Sequence, residues 1–549
     1  MSAKSSKPKK HTATPHHSPK QPTRKHSTKK IVFIILALPV LAVVVALLSA
    51  VAFGILQKPV LVNKDLGLQN KLHIPQVLEP RVEQGEKVFD LTAQQGSTEF
   101  LPGKQTKTLG FNGNYLGPTI RARKGDKIRL NVTNNLDQKT TVHWHGMDVG
   151  ANMDGGPHQM IEPKEVWKPY WAIANQASTL WYHPHLLGKT GEQMYKGLAG
   201  LFIVDDDHAD SLNLPKTYGT DDIPVVVQDK AFDTNGQLTY DAEKKDVMGH
   251  TGMHGNTILV NGTYAPYVEA PARLVRLRIL NASNARRYDF GFDDNQAFHQ
   301  IATDGGFLER PVALTRLTLA PGERAEIVVD LAGRTKPLTL MSYALKEKNP
   351  LLRTVKAVAR AHRDENQEFK ILEIRPQATD TTSAALPQNL NTIEPLKPDS
   401  AIKTRRFVLD SEGHSINGKQ MDHTRIDEII HAGDTEIWEI NDQSGTAHPF
   451  HIHAVQFQIL SRNDKPPAEH ERGWKDTVLV NSADTVRVIV RFPNRSDPHL
   501  PYMFHCHILE HEDKGMMGQF VLVDKNTKDQ DVFIQTNLKD TEHQHIHNH

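Results

Sequence analysis

Hydrophobic and polar residues alternate along most of this chain in short runs, separated by glycine, proline and asparagine. KIRLNV from Lys127, LVRLRIL from Leu274 and TEIWEI from Thr435 are three such runs. A period of two sends successive side chains to opposite faces, so each run reads as a half-buried β-strand. Each follows a short entry strand and a Gly or Pro turn, and each leads into an Asn-containing turn. The wider segments 115–136, 258–284 and 425–444 therefore resemble one another. They recur roughly 150 residues apart, too far for a solenoid, and fit three similar β-domains in tandem. The pattern predicts an all-β chain with domains at 70–210, 223–375 and 401–525. A linker at 376–400, rich in Pro, Thr and Ser, separates the last two. A polar tail at 526–549 ends in TEHQHIHNH and reads as disordered.

One stretch breaks the alternation. Residues 31–53 read IVFIILALPVLAVVVALLSAVAF, and no charge appears from Ile31 to Gln57. About 20 apolar residues suffice to cross a bilayer as a helix, and Pro39 is tolerated there. Residues 1–30 hold nine Lys or Arg and no acid, with Lys29 and Lys30 directly before the span. Positive charge stays inside, so the arm is expected in the cytoplasm and the remainder of the chain on the extracytoplasmic side of the cell membrane. The competing reading is a signal peptide cleaved near Ala50-Val51-Ala52. The long basic region and long apolar run favour an uncleaved anchor. Both readings export the chain from about residue 58.

Charge then refines the picture. The whole chain of 549 residues carries +1, but without the arm 56 basic side chains face 64 acidic ones. An acidic body with a basic arm beside an apolar span calls for a membrane and no nucleic acid. The 38% hydrophobic and 23% charged content is that of an ordinary globular protein, expected here as a monomer. A single cysteine, Cys506, excludes an intramolecular disulfide.

The chemistry lies in the 30 histidines. Four short stretches cluster them: HWHG (His143, His145), WYHPH (His183, His185), HPFHIH (His448, His451, His453) and HCHILEH (His505, His507, His511). On a strand each H-x-H directs two imidazoles to one face. In His505-Cys506-His507 the thiol points the other way, so one tripeptide can serve two metal sites. A thiolate, imidazoles and a weak methionine suit blue copper. His511 lies five residues after Cys506 and Met516 ten after it, and His448 offers a second imidazole from a neighbouring strand. The eight histidines of the four H-x-H pairs suit an imidazole-only copper site between the first and last domains. Structural zinc prefers cysteine-rich tetrahedral sites, and no haem-attachment motif is present. His158, His250, His254, His423 and His499 have no matching partner and read as surface or loop residues.

Taken together, these four motifs resemble the multicopper oxidases, over residues from about 75 to 525. The stretches MDGGPHQMIEP and WYHPHLLGKTGEQMYKGLAGLFIVDD are similar to the bacterial copper-efflux and cell-division-associated branch. The resemblance implies three cupredoxin-like Greek-key domains, the middle one without copper ligands. It implies four copper ions. A type 1 copper would take His448, Cys506, His511 and axial Met516, with Met517 the alternative. A type 2 copper would take His143 and His451. A type 3 pair would take His145, His183, His185, His453, His505 and His507. A cell-division scaffold related to this branch keeps the fold without these ligands, whereas every position is filled here. The resemblance also implies oxidation of a small donor, with O2 reduced to water, electron transfer through Cys506, and proton relay by Asp154 and Glu512. Asp513 reads as a surface acid.

The donor is less legible. Cuprous oxidases of this branch commonly carry a methionine-rich segment over the type 1 site. No methionine lies between Met341 and Met421, and QSGTA precedes His448. Phenols, aromatic amines or similar organic donors are therefore expected, with Cu(I), Fe(II) or Mn(II) as the alternative.

Overall fold

The computed structural model describes residues 66–241, 252–345, 367–378, 385–444 and 446–535, with positions 41, 42, 45, 49, 62, 245, 246, 249 and 250. The apolar segment at 31–53, expected to span a membrane, lies outside the described residues except for four helical positions within it, and so does the basic arm. Among the described residues no helix is long and apolar enough to cross a membrane. Most of the 526–549 tail also falls outside.

The described strands form three pairs of sheets and a two-stranded ribbon. In the first pair, a five-stranded sheet places Ser178–His183 between Gly200–Asp205 and His143–His145. In the third pair, a five-stranded sheet runs Glu428–His431, Met517–Val523, Asp497–Cys506, His448–Ile452, Thr477–Val480. The second pair holds six and seven strands. Its first edge strand is Asn70–Lys71, which pairs in parallel with Pro266–Pro271. Helices are few and short; Thr190–Lys196 and Leu509–Asp513 matter to the site.

Each pair encloses its own apolar core. Phe89, Leu130 and Trp144 belong to the first; Val225, Ile279 and Phe369 to the second; Trp438, Phe450 and Phe504 to the third. The alternation is realised in Lys127–Asn134, where every second residue is buried. It fails in Leu274–Asn281, whose polar face is buried as well. There Arg278 donates to Asp222 at 2.7 Å and to Glu326 at 2.9 Å, and Glu326 accepts the Thr179 hydroxyl at 2.6 Å. The physical reason is that this face packs on the first pair of sheets, so its charges leave water only by pairing with one another. In the 376–400 stretch, Leu390 is fully buried and packs with Ile301, Phe307 and Val328.

Candidate metal centre

Two antiparallel ladders set the site. In the first pair of sheets His183 lies opposite His143, and Trp181 opposite His145. In the third, Cys506 lies opposite Phe450 and His505 opposite His451. Alternation sorts the side chains between faces. Phe450, Ile452, Cys506 and Met516 enter the third core, while Trp144 and Tyr182 enter the first. The intervening histidines are left to meet between the two pairs.

They meet in groups. The candidate ligand atoms of His143, His145 and His451 lie within 4.8 Å of one another, as do those of His145, His183 and His507, and those of His185, His453 and His505. His448, Cys506 and His511 form a separate group under the same limit. All ten imidazoles and the thiol are fully buried.

Hydrogen bonding shows why these rings suit a metal. The Nδ1 of His143 lies 2.9 Å from the Asp154 carbonyl, that of His451 2.8 Å from the Asp476 carbonyl, and that of His505 3.0 Å from the Cys506 carbonyl. A carbonyl only accepts, so each Nδ1 carries the proton and each Nε2 presents a lone pair. His453 places its Nδ1 2.7 Å from an Asp154 carboxyl oxygen. The Nε2 atoms of His185, His453 and His505 then converge at 3.1 to 3.2 Å. A point roughly 2 Å from all three is a metal–imidazole bond length. The Nε2 atoms of His143, His451 and His448 and both ring nitrogens of His507 are buried with no hydrogen-bond partner among the described residues. Such atoms are costly unless a ligand takes them. Burial lowers His143 and His185 to about 3, keeping both neutral and ready to coordinate.

The thiol group is built differently. Cys506 Sγ accepts the Ile508 N–H at 3.3 Å and lies 3.9 Å from His511 Nδ1. Burial pushes the thiol up, so its thiolate calls for a cation. Met516 is fully buried, and its carbonyl accepts the Cys506 N–H at 3.1 Å. Met517 is also buried, but its backbone pairs with His505.

Two acids stand against the imidazoles. Asp154 is fully enclosed, and burial pushes its carboxyl up to about 8. Glu512 lies 3.2 Å from His505 Nδ1 and 3.5 Å from His185 Nδ1. Its burial acts against ionisation, yet these two imidazoles hold it below the usual carboxylate range.

Several side chains depart from the sequence reading. Asp513 is no surface acid: its carboxylate accepts the Thr190 and Gly191 N–H groups at 2.9 and 2.8 Å, pinning the helix Thr190–Lys196 to Leu509–Asp513. His158 and His423 do lie in turns, as expected, with their rings packed edge-on at 5.4 Å. His499 packs on Phe533 at 4.3 Å. Asp442, six residues before His448, lies 2.8 Å from its Nδ1. Asp476 reaches His145 across 331 residues of chain. Neither acid stands at a spacing that marks it out from an ordinary turn residue, so no local signal was available.

The comparisons agree with this geometry. Residues 92–209 and 386–526 match two models described as multicopper oxidase. The chain is 39% identical to the multicopper oxidase mco of Staphylococcus aureus, over 82% of this chain and 92% of that protein. It is 37% identical to the cell division protein FtsP of Escherichia coli, over 83% and 93%. The solved structure of the laccase-like multicopper oxidase CueO from Ochrobactrum sp., with oxidase activity towards lignin model compounds and lignosulfonate, superposes with a TM-score of 0.73 at 36% identity. That match covers 82% of this chain and all of the other. The fold is thus the all-β cupredoxin-like fold of laccase structures. The chain belongs to the multicopper oxidase family, whose members bind copper and are generally oxidoreductases that use O2 and a reducing substrate.

Proposed function

We propose that this protein is a laccase-like oxidase of phenols, aromatic amines or similar organic donors. His448, Cys506, His511 and Met516 would hold a type 1 copper. His143 and His451 would hold a type 2 copper. His145, His183 and His507 would hold one ion of a type 3 pair, and His185, His453 and His505 the other. The observation that supports this most is the convergence of three Nε2 atoms beside several buried, unpartnered imidazole nitrogens. Bound copper would supply one-electron oxidation of the donor and four-electron reduction of O2 to water.

The remaining work falls to the chain. Cys506 is covalently continuous with His505 and His507, so donor side and oxygen side are a few bonds apart. Burial of the rings excludes water from the oxygen side. Asp154, against His453 and His143, and Glu512, against His505 and His185, stand where protons are consumed, and we assign both to proton supply. The three pairs of sheets are proposed as three tandem Greek-key domains, on a monomer anchored by residues 31–53 with its catalytic bulk outside the membrane. The likeness to FtsP raises a rival, an envelope protein without turnover; the same measurement separates the two.

That measurement is O2 uptake by the copper-loaded protein on a panel of phenols, aromatic amines and metal ions. Organic donors should be consumed with four electrons per O2. The Cys506→Ser variant should lose the visible thiolate-to-copper band and turnover of organic donors while still binding copper at its imidazoles. Full activity in that variant would refute the assignment, and no turnover in the unaltered protein would favour the rival.

A further inference from the structure

The second pair of sheets supplies none of the candidate ligands, yet one of its side chains reaches the centre. Arg324 opens the strand Arg324–Asp330 and is almost wholly buried. Its Nε donates to the Thr179 carbonyl of the first pair at 3.0 Å, and its Nη2 to the Asp304 carbonyl at 3.0 Å. Its Nη1 and Nη2 grip the two Asp476 carboxylate oxygens at 2.7 and 2.6 Å. Asp476 belongs to the third pair, so three pairs of sheets meet on one guanidinium.

The consequence lies on the other side of Asp476. Its Oδ1 is 3.0 Å from His145 Nε2 and accepts the Thr477 hydroxyl at 2.9 Å. A carboxylate gripped by arginine offers only lone pairs in that direction. His145 must therefore bring its proton to Nε2, which leaves Nδ1 bare. That Nδ1 faces His183 Nε2 at 3.4 Å. His183 keeps its own proton on Nδ1, 2.7 Å from the Pro184 carbonyl, so its Nε2 is bare too. Two lone pairs held face to face repel unless a cation lies between them. His143, His183, His451 and His505 all hold the proton at Nδ1 and present Nε2; His145 presents the opposite nitrogen.

We propose that the Arg324–Asp476 pair is a positioning device that locks His145 as an Nδ1 donor to its metal. The proposal rests on reading these imidazoles as copper ligands. Thr477 alone cannot impose the tautomer: its hydroxyl, 3.2 Å from His145 Nε2, can donate or accept. The fork of arginine matters beyond its charge, because two parallel bonds fix the plane of the carboxylate whereas a lysine ammonium holds it at one point. The second pair of sheets thus shapes the metal centre without touching the metal.

The test titrates copper(I), against a competing chelator, into the unaltered apoprotein and into Arg324→Lys and Asp476→Asn. Both variants should bind copper at the imidazole clusters roughly 10–100-fold more weakly, the usual cost of losing a partner that orients a ligand. The thiolate site, followed by its visible band after oxidation, should keep its affinity. Parallel weakening of every site would mean that the pair is only a brace between sheets, and no weakening would leave it without a role in binding; either result overturns the proposal. Should the variants not fold, the apoprotein labelled with 15N-histidine decides. The His145 resonance, identified by its loss in His145→Gln, should show a protonated Nε2 and a bare Nδ1, and the reverse tautomer overturns the proposal. An unaltered protein that binds no copper at its imidazoles would instead sink the underlying reading, which the tautomer measurement does not depend on.

Discussion

At the scale of single residues, burial decides most of the chemistry. Lys230 ends the strand Asp222–Lys230 with its ammonium 4.2 Å over the Tyr195 ring and no hydrogen bond among the described residues. Burial lowers it to about 7, although Asp229 and Glu510 pull the other way. Between pH 7 and the ordinary lysine value of 10.5 the unfolded chain holds a proton that the folded chain does not. Stability must then rise with pH across that window, and the charge costs most at and below pH 7. Lys230→Met should stabilise the protein at pH 6.5 by on the order of a few kcal/mol and lose that advantage towards pH 10. Urea unfolding of both proteins at several pH values checks this; a pH-independent difference would show that the ammonium is not desolvated. The candidate copper ligands were legible at this scale because residue type and i, i+2 spacing are local properties. Asp442, Asp476 and Arg324 were not, because their importance depends on partners brought near only by folding.

At the scale of elements, the strand period explains how one tripeptide can face two candidate sites. Cys506 enters the third core and His505 and His507 leave it, as their alternation requires. The loop that brings Asp154 to His143 and His453 depends instead on a glycine. Gly155 has φ of +77°, and a Cβ there would lie 1.8 Å from the Val142 carbonyl oxygen. Gly155→Ala should therefore push this loop off His143, costing roughly 1–3 kcal/mol of stability and part of the copper content. Thermal unfolding and metal analysis would read both, and a variant as stable and as fully loaded as the parent would contradict the packing described. The same period misled in Leu274–Asn281, where Arg276 and Arg278 look solvent-facing in the sequence. Their burial follows from packing between sheet pairs, which no single-strand pattern encodes.

At the scale of the whole molecule, the candidate metal centre is a seam between the first and third pairs of sheets, braced by the second. Copper that binds this seam and not the unfolded chain should stabilise the fold by about 1.4 kcal/mol for each tenfold excess over its dissociation constant. Removing copper should lower the unfolding temperature, and restoring it should recover the loss; identical melting of both forms would mean that no metal bridges the pairs. The apoprotein should also be acid-labile. His143, His145, His183, His185, His451, His453 and His507 are all lowered by burial, so below their ordinary value of 6.5 the unfolded state takes up protons that the folded state refuses. Stability falls as pH drops through that region. The sequence by itself determined the all-β character, the ligand types and the two-faced HCH tripeptide, since each follows from strand periodicity and side-chain chemistry within a few residues. Only the tertiary structure decided which imidazoles converge and which acids and arginine stand against them. Those relations join strands far apart in the chain, and only the packing of one sheet on another sets the distances between them.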